Sequence, residues 1–206
     1  MDQDLKKENN RSLFLIMAAS LACSILIQVN ISSITRLGDL AALGGGGLML
    51  SVVLVMLANL VPHDIKHKLV FLRIKNEMPA CRVHELCRKE PRVEHEELKS
   101  RWPDIFGNDI DAATRNSRWY QKIYKTVKDR EEVRQAHRNF LLYRDAFSGL
   151  LAILLIALAG FVAGELPIIG QLKIAVIYVQ SAFAVLALIA ANIAGKRLVV
   201  NAVVVA

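Results

Sequence analysis

Three residues spaced three apart, Cys81, His84 and Cys87, carry the chemistry most worth testing first, because thiolate and imidazole are zinc ligands. On one helix these positions fan over about 120°. A fourth ligand would have to come from His63, His67 or His95. The paired spacings of zinc ribbons and fingers are absent, so no metal and no cofactor is expected, and the cysteines read as small buried thiols. A nucleophilic role for Cys87 with His84 would also need an orienting group and an oxyanion site, and nothing in the chain places them. HExxH, GxxxxGK[ST], GxSxG and a dinucleotide fingerprint are all missing. The chain is expected not to be an enzyme.

A second group of residues suggests binding rather than catalysis. On a helix running from a cap at Asp109 to Lys128, Ala113, Tyr120, Ile123, Tyr124 and Val127 share one face. Arg115, Arg118, Lys122 and Lys125 form a basic stripe opposite. Such a stripe suits phosphate groups, anionic lipid headgroups or an acidic protein partner. No nucleic-acid module signature accompanies it, so nucleic acid is not the expected ligand.

The elements that must position these residues follow from how unevenly the charge is distributed. Residues 62–146 hold 19 Lys/Arg and 14 Asp/Glu, which is 33 of the 45 charged residues in a chain of 206. All five histidines lie there as well. The rest is apolar, and 54% of the whole chain is hydrophobic. That pattern excludes a secreted disulfide scaffold, a disordered chain and a coiled-coil rod. It requires both a membrane and water.

Four stretches approach the roughly 20 apolar residues that a spanning helix needs: Ser12–Ile31, Leu40–Val61, Ala146–Gly164 and Ile174–Gly195. None has a charged residue in its interior, which argues against proton relays and ion-coupled transport. The polar residues in them, Gln28, Asn30, Asn59, Gln180 and Asn192, are suited to hydrogen bonds between helices. The first run stays apolar past Cys23, and Ser20 stands three residues before it, so a retained anchor is expected rather than a cleaved signal.

Basic residues cluster beside the ends of these runs on the side of the tails and the middle segment, while the short connectors hold only Arg36 and Lys173. By the positive-inside rule both termini and the middle domain face the cytoplasm, as in a bacterial inner-membrane protein. The expected fold is therefore all-α, an integral membrane protein with four transmembrane helices in two hairpins. Its parts are 1–61 (tail and hairpin), 62–145 (basic helical cytoplasmic domain) and 146–206 (second hairpin and tail).

Within the middle domain, His63–Asn76 reads as a basic amphipathic helix suited to a membrane surface. Pro91 starts a short helix to Arg101, Pro103 stops it, and a last helix begins near Asp129 and runs into the third span. Glycines supply the remaining signals. Gly44, Gly45, Gly46 and Gly47 make a compliant point or a close approach, because each costs a helix about 1 kcal/mol relative to alanine. Gly160 and Gly164 form a small-xxx-small pair, and Ala187, Ala191 and Gly195 continue that pattern in the fourth span.

The function expected from all this is non-enzymatic. The cytoplasmic domain engages a partner or anionic ligand, and the bilayer-embedded spans associate into a homo-oligomer. An oligomeric channel and a lipid-directed membrane enzyme are the alternatives.

Overall fold

The computed structural model describes residues 2–28, 61–166 and 170–206, together with Gly45, Val52 and Met56. The described residues are helical apart from turns and one pair of two-residue strands. Among the described residues, three helices are long and apolar enough to cross a membrane: α1 (Asp2–Gln28), within which Lys7–Gln28 qualifies, and two helices near the C-terminal end. The expected span at Leu40–Val61 lies outside the described residues except for Gly45, Val52 and Met56, which are helical and exposed, and Val61.

Between the spans come α2 (His63–Phe71), a 3₁₀ turn at Pro79–Arg82, α3 (Val83–Cys87), α4 (His95–Arg101) and α5 (Pro103–Phe106). Then come α6 (Ala112–Trp119), a π-helical turn at Tyr120–Tyr124 and α7 (Lys125–Val127). The two long helices are α8 (Glu131–Ala163) and α9 (Ile174–Val205), joined through β1 (Glu165–Leu166) and β2 (Gly170–Gln171). The strands pair antiparallel, Glu165 opposite Gln171 and Leu166 opposite Gly170.

Local chemistry explains where these helices stop and start. α2 ends at Phe71, short of Asn76, because Leu72 turns left-handed at φ 51°. The Arg73 N–H then reaches back to the Lys68 carbonyl at 3.2 Å, the six-residue closure of a Schellman cap. α4 starts at His95 rather than Pro91: Arg92 donates from its backbone and its guanidinium to the Glu90 carboxylate, which holds residues 90–92 in a turn. Pro103 separates α4 from α5 and itself begins α5. The cap of α6 is Asp111, not Asp109; its carboxylate accepts from the backbone N–H of Ala113 (2.9 Å) and Thr114 (3.1 Å). Glu131 and Glu132 occupy the first turn of α8, where the helix dipole favours acids. Gly164 follows α8 at φ +86°, a conformation that costs glycine little.

The chain divides into two compact units. Unit 1 holds residues 1–62 and 142–189; unit 2 holds 63–141 and 190–206. Unit 1 buries Leu13, Met17 and Leu21 of α1 and Ala146, Phe147 and Leu150 of α8. Its interior also takes polar side chains: Ser20 and Gln180 are fully buried, and Gln180 Nε2 donates to the Ser20 carbonyl (3.1 Å) and to Ser24 Oγ (2.6 Å). Its outside is apolar, with Leu155, Ile156, Val162, Val185 and Leu186 all more than half exposed. Polar side chains inside and large aliphatics outside suit a lipid solvent, where an exposed leucine costs nothing and an unpaired amide is expensive.

Gln28 ties the end of α1 to the connector, accepting from the Lys173 N–H and donating to the Gln171 carbonyl, both at 3.0 Å. Lys173 Nζ donates to the Ile27 carbonyl (3.0 Å), placing a cation at the C-terminal end of α1.

Unit 2 has a core of a different kind. The last residues of the chain are not a tail: Leu198, Val199, Ala202 and Val203 on the end of α9 are buried in it. Arg92 reaches Asn201 Oδ1 (3.2 Å), and Arg101 reaches the Ala206 carbonyl oxygen (2.6 Å). Phe140 stacks on Phe71 (5.8 Å between ring centroids) and on His67 (5.9 Å). Gly195 sits against this stack so closely that a Cβ there would meet Phe71 Cζ at 2.6 Å and Phe140 Cε2 at 3.1 Å. Asn192, on the same helix, donates to the Val70 carbonyl (3.3 Å).

Candidate functional site

The expected basic stripe is broken up by the helix that carries it. The π turn at Tyr120–Tyr124 inserts an extra residue per turn and rotates the faces on either side. Arg115, Trp119, Ile123, Tyr124 and Val127 become the buried face, while Ala113 and Tyr120 are exposed. The five-residue closure stacks Trp119 on Tyr124 (5.5 Å), and the Tyr124 hydroxyl meets His137 Nδ1 at 2.8 Å. A 100° periodicity places Ile123, Tyr124 and Val127 inside and Arg118, Lys122 and Lys125 outside as the structure does, but misplaces Arg115, Ala113 and Tyr120.

Arg115 is therefore not part of a solvated stripe. It is 5% exposed. Its Nε donates to the Ile105 carbonyl (2.9 Å) and its Nη2 to the Gly107 carbonyl (3.2 Å), filling acceptors that α5 leaves open at its end. Arg118 and Lys122 stay at the surface and converge on Asp104. Arg118 Nη1 donates to the Asp104 carbonyl (3.0 Å), and Lys122 Nζ binds the Asp104 carboxylate. Lys125 Nζ lies 5.3 Å from the centre of the Tyr120 ring. The surface group is thus Arg118 and Lys122 on the Asp104 carboxylate with Lys125 against Tyr120, and positive charge is in excess.

The Lys122 hydrogen bond, supported by the charges of Lys122 and Arg118, holds the Asp104 carboxyl below the usual aspartate range. Arg92 does the same for Glu90, and Thr114, through its side chain first and then its backbone N–H, for Asp111. Carboxylates depressed in the folded state contribute stability above their unfolded values, and that stability is lost as pH falls through the folded ones. Unit 2 is therefore expected to lose thermal stability progressively below about pH 4. In melting curves of the detergent-solubilised chain, Asp104→Asn should lower stability at neutral pH and flatten the acid dependence. An unchanged acid slope in that variant would show that Asp104 does not carry it.

Cys81, in the 3₁₀ turn, and Cys87, in α3, are both buried. Burial pushes the Cys87 thiol up to about 12 and raises Cys81 as well. A reactive thiol is exposed and acidic, and Cys87 is neither. Burial, with Arg115 nearby, lowers the basicity of His84. Among the described residues no three His, Cys, Asp or Glu side chains are grouped to hold a metal ion. Maleimide applied to the native chain at neutral pH is expected to leave Cys87 unmodified and to label it after unfolding in dodecyl sulfate, as read by peptide mass. Stoichiometric labelling of Cys87 in the native chain would contradict this burial.

The glycine signals separate in the same way. Gly45 is helical and exposed, and a Cβ there would meet nothing within 4 Å. Gly44, Gly46 and Gly47 lie outside the described residues. Gly164 has open space around it as well and lies past the end of α8, so within this chain it terminates a helix rather than pairing with Gly160 in a packed face. Close packing occurs instead at Gly195.

Composition did not point to the buried charges. Arg144 and Asp145, adjacent on α8, are 2% and 4% exposed. Arg144 Nε donates to Asp145 Oδ1 at 3.1 Å, with Nη2 3.0 Å from the same oxygen. They stand at the threshold of the apolar stretch beginning at Ala146. No protein-family model, curated protein sequence or solved structure matches the chain. The site is therefore defined by this chain's own residues: Arg118 and Lys122 on Asp104 with Lys125 beside Tyr120, and the buried Arg144–Asp145 pair on α8.

Proposed function

We propose that the chain is a non-enzymatic, multi-pass membrane protein whose charged helical unit engages a protein partner or anionic ligand, while its apolar helices anchor it and associate with further copies. In this reading there are four spans, counting Leu40–Val61. Both termini and the charged unit lie in the cytoplasm, as in a bacterial inner-membrane protein. One observation carries the reading: α8 and α9, of 33 and 32 residues, each run unbroken from the apolar unit into the charged one. At about 1.5 Å per residue each is near 50 Å long, well beyond the roughly 30 Å of a bilayer core. A ligand that prefers one setting of the charged end biases the apolar end of the same helix, which is the arrangement a sensor or effector requires.

The excess positive charge at Arg118, Lys122 and Lys125 supports an acidic or phosphate-bearing ligand, which would displace the Asp104 carboxylate. The test is gentle detergent purification of the full chain followed by native mass measurement. The expected result is more than one chain per particle with bound material retained, and loss of that material in the Arg118→Glu, Lys122→Glu double variant. A single chain with nothing bound would overturn the reading. So would ion flux in liposomes that Gly45→Leu and Gly46→Leu abolish, which would establish the channel instead.

A further inference from the structure

Large aliphatic side chains belong inside unit 2, yet the turn after α2 leaves two of its own almost fully in the open. Leu72 is 75% exposed and Ile74 82% exposed. Ile65, on α2 itself, is 48% exposed. The turn that presents them is firmly built. Leu72 and Asn76 are both left-handed at φ 51°, the Arg73 N–H closes the Schellman cap, and Arg82 Nη1 donates to the Asn76 carbonyl at 3.0 Å. Two non-glycine residues in this conformation cost backbone energy that the surrounding bonds must offset. The aliphatics are thus held outward by structure.

Basic side chains alternate with the aliphatics. Lys68, Arg73 and Lys75 are exposed, and none of the three forms an ion pair among the described residues. Burial disfavours the charge on Arg82, and the charge of nearby Arg73 disfavours it further. Asp64, in the first turn of α2, and Glu77 are the acidic residues at the two ends of this stretch. Outward aliphatics interleaved with uncompensated cations match an anionic lipid interface, which offers acyl chains for one and phosphate for the other. Chain length agrees. Only Pro62 and a nine-residue helix of about 14 Å separate Leu72 from Val61, the end of an apolar stretch of spanning length.

We propose that Ile65, Leu72 and Ile74 dip into an anionic membrane surface while Lys68, Arg73 and Lys75 bind its headgroups. This surface is separate from the Arg118–Lys125 group and does not depend on that group binding anything. It makes α2 an interfacial helix whose affinity responds to lipid charge and to salt.

The test uses the full chain reconstituted in vesicles, whose two leaflets have the same composition, so the orientation of the protein does not affect it. An Ile74→Cys variant carries an environment-sensitive fluorophore in a Cys23→Ser background; Cys81 and Cys87 are buried. In equimolar phosphatidylglycerol and phosphatidylcholine the emission should shift to the blue and be quenched by a nitroxide on the lipid chains. In phosphatidylcholine alone, or at high salt, lipid quenching should fall and quenching by aqueous iodide should rise. Each basic residue near an anionic surface contributes a bias of about fivefold, so Arg73→Glu with Lys75→Glu should lower the inserted-to-exposed ratio about 25-fold or more. Equal iodide quenching in both lipid mixtures would overturn the proposal, as would lipid quenching that the double variant leaves unchanged. A label shielded from both quenchers would show protein covering the turn, and would overturn it too.

Discussion

Asp145→Ala is expected to destabilise the chain by about 3–5 kcal/mol, the range found when one member of a buried ion pair is removed. Arg144 is 2% exposed and holds two nitrogens near a single Asp145 oxygen. Without the carboxylate, the buried cation loses both contacts to that oxygen, beside the apolar stretch of α8 that begins at Ala146. Unfolding of the detergent-solubilised chain should reveal the loss, measured against Arg144→Met with Asp145→Leu. That double variant removes both charges and keeps the volume, so it should recover most of the stability. If Asp145→Ala and the double variant were equally damaged, the cost would lie in packing. If neither changed, the pair would carry no energy.

Phe140→Ala is expected to cost a comparable 3–5 kcal/mol, the usual range for a buried phenylalanine. Phe140 is 3% exposed and lies between His67 and Phe71, with Gly195 against its edge. Its removal opens space at the place where α2, α8 and the end of α9 meet within unit 2. Gly195→Leu fails for the opposite reason. Its Cβ alone would lie 2.6 Å from Phe71 Cζ, and overpacking of this kind costs about 1–3 kcal/mol. Because both changes act on one volume, their combination should be less harmful than the sum of the two. Strict additivity in denaturant unfolding would show that the two residues do not share a space. The same stack explains the compactness of unit 2, since it joins sequence-distant segments around residues 67–71, 140 and 195.

Much of the architecture was legible in the residues. The contrast between charge-poor and charge-rich stretches anticipated three helices of spanning length, at α1, α8 and α9. The period of apolar positions and the acids at Glu131 and Glu132 indicated an unbroken helix into the third span, and α8 is that helix. Polar residues in apolar runs indicated hydrogen bonds between helices; Gln180 and Asn192 each make one, while Gln28 bonds the connector. Signals of this kind are local, set by composition, periodicity and capping, and the solvent reads them before any long-range contact forms.

The binding residues were less legible. Arg115 looked like its neighbours Arg118 and Lys122, and only the π turn, together with open carbonyls on α5, turns it inward. No spacing rule signals a π turn, because it depends on which aromatic rings can stack across it. The sequence suggested only a tail after the last span, and nothing in it showed that Leu198, Val199, Ala202 and Val203 would be buried. By itself, then, the sequence determined that this protein divides its residues between lipid and water, and roughly where each helix begins. Only the tertiary structure decided which charges are buried, which glycine is packed and which aliphatics stay exposed. Burial of a cation or a ring depends on partners ten to a hundred residues away, and those partners are chosen by shape and hydrogen-bond satisfaction rather than by local pattern.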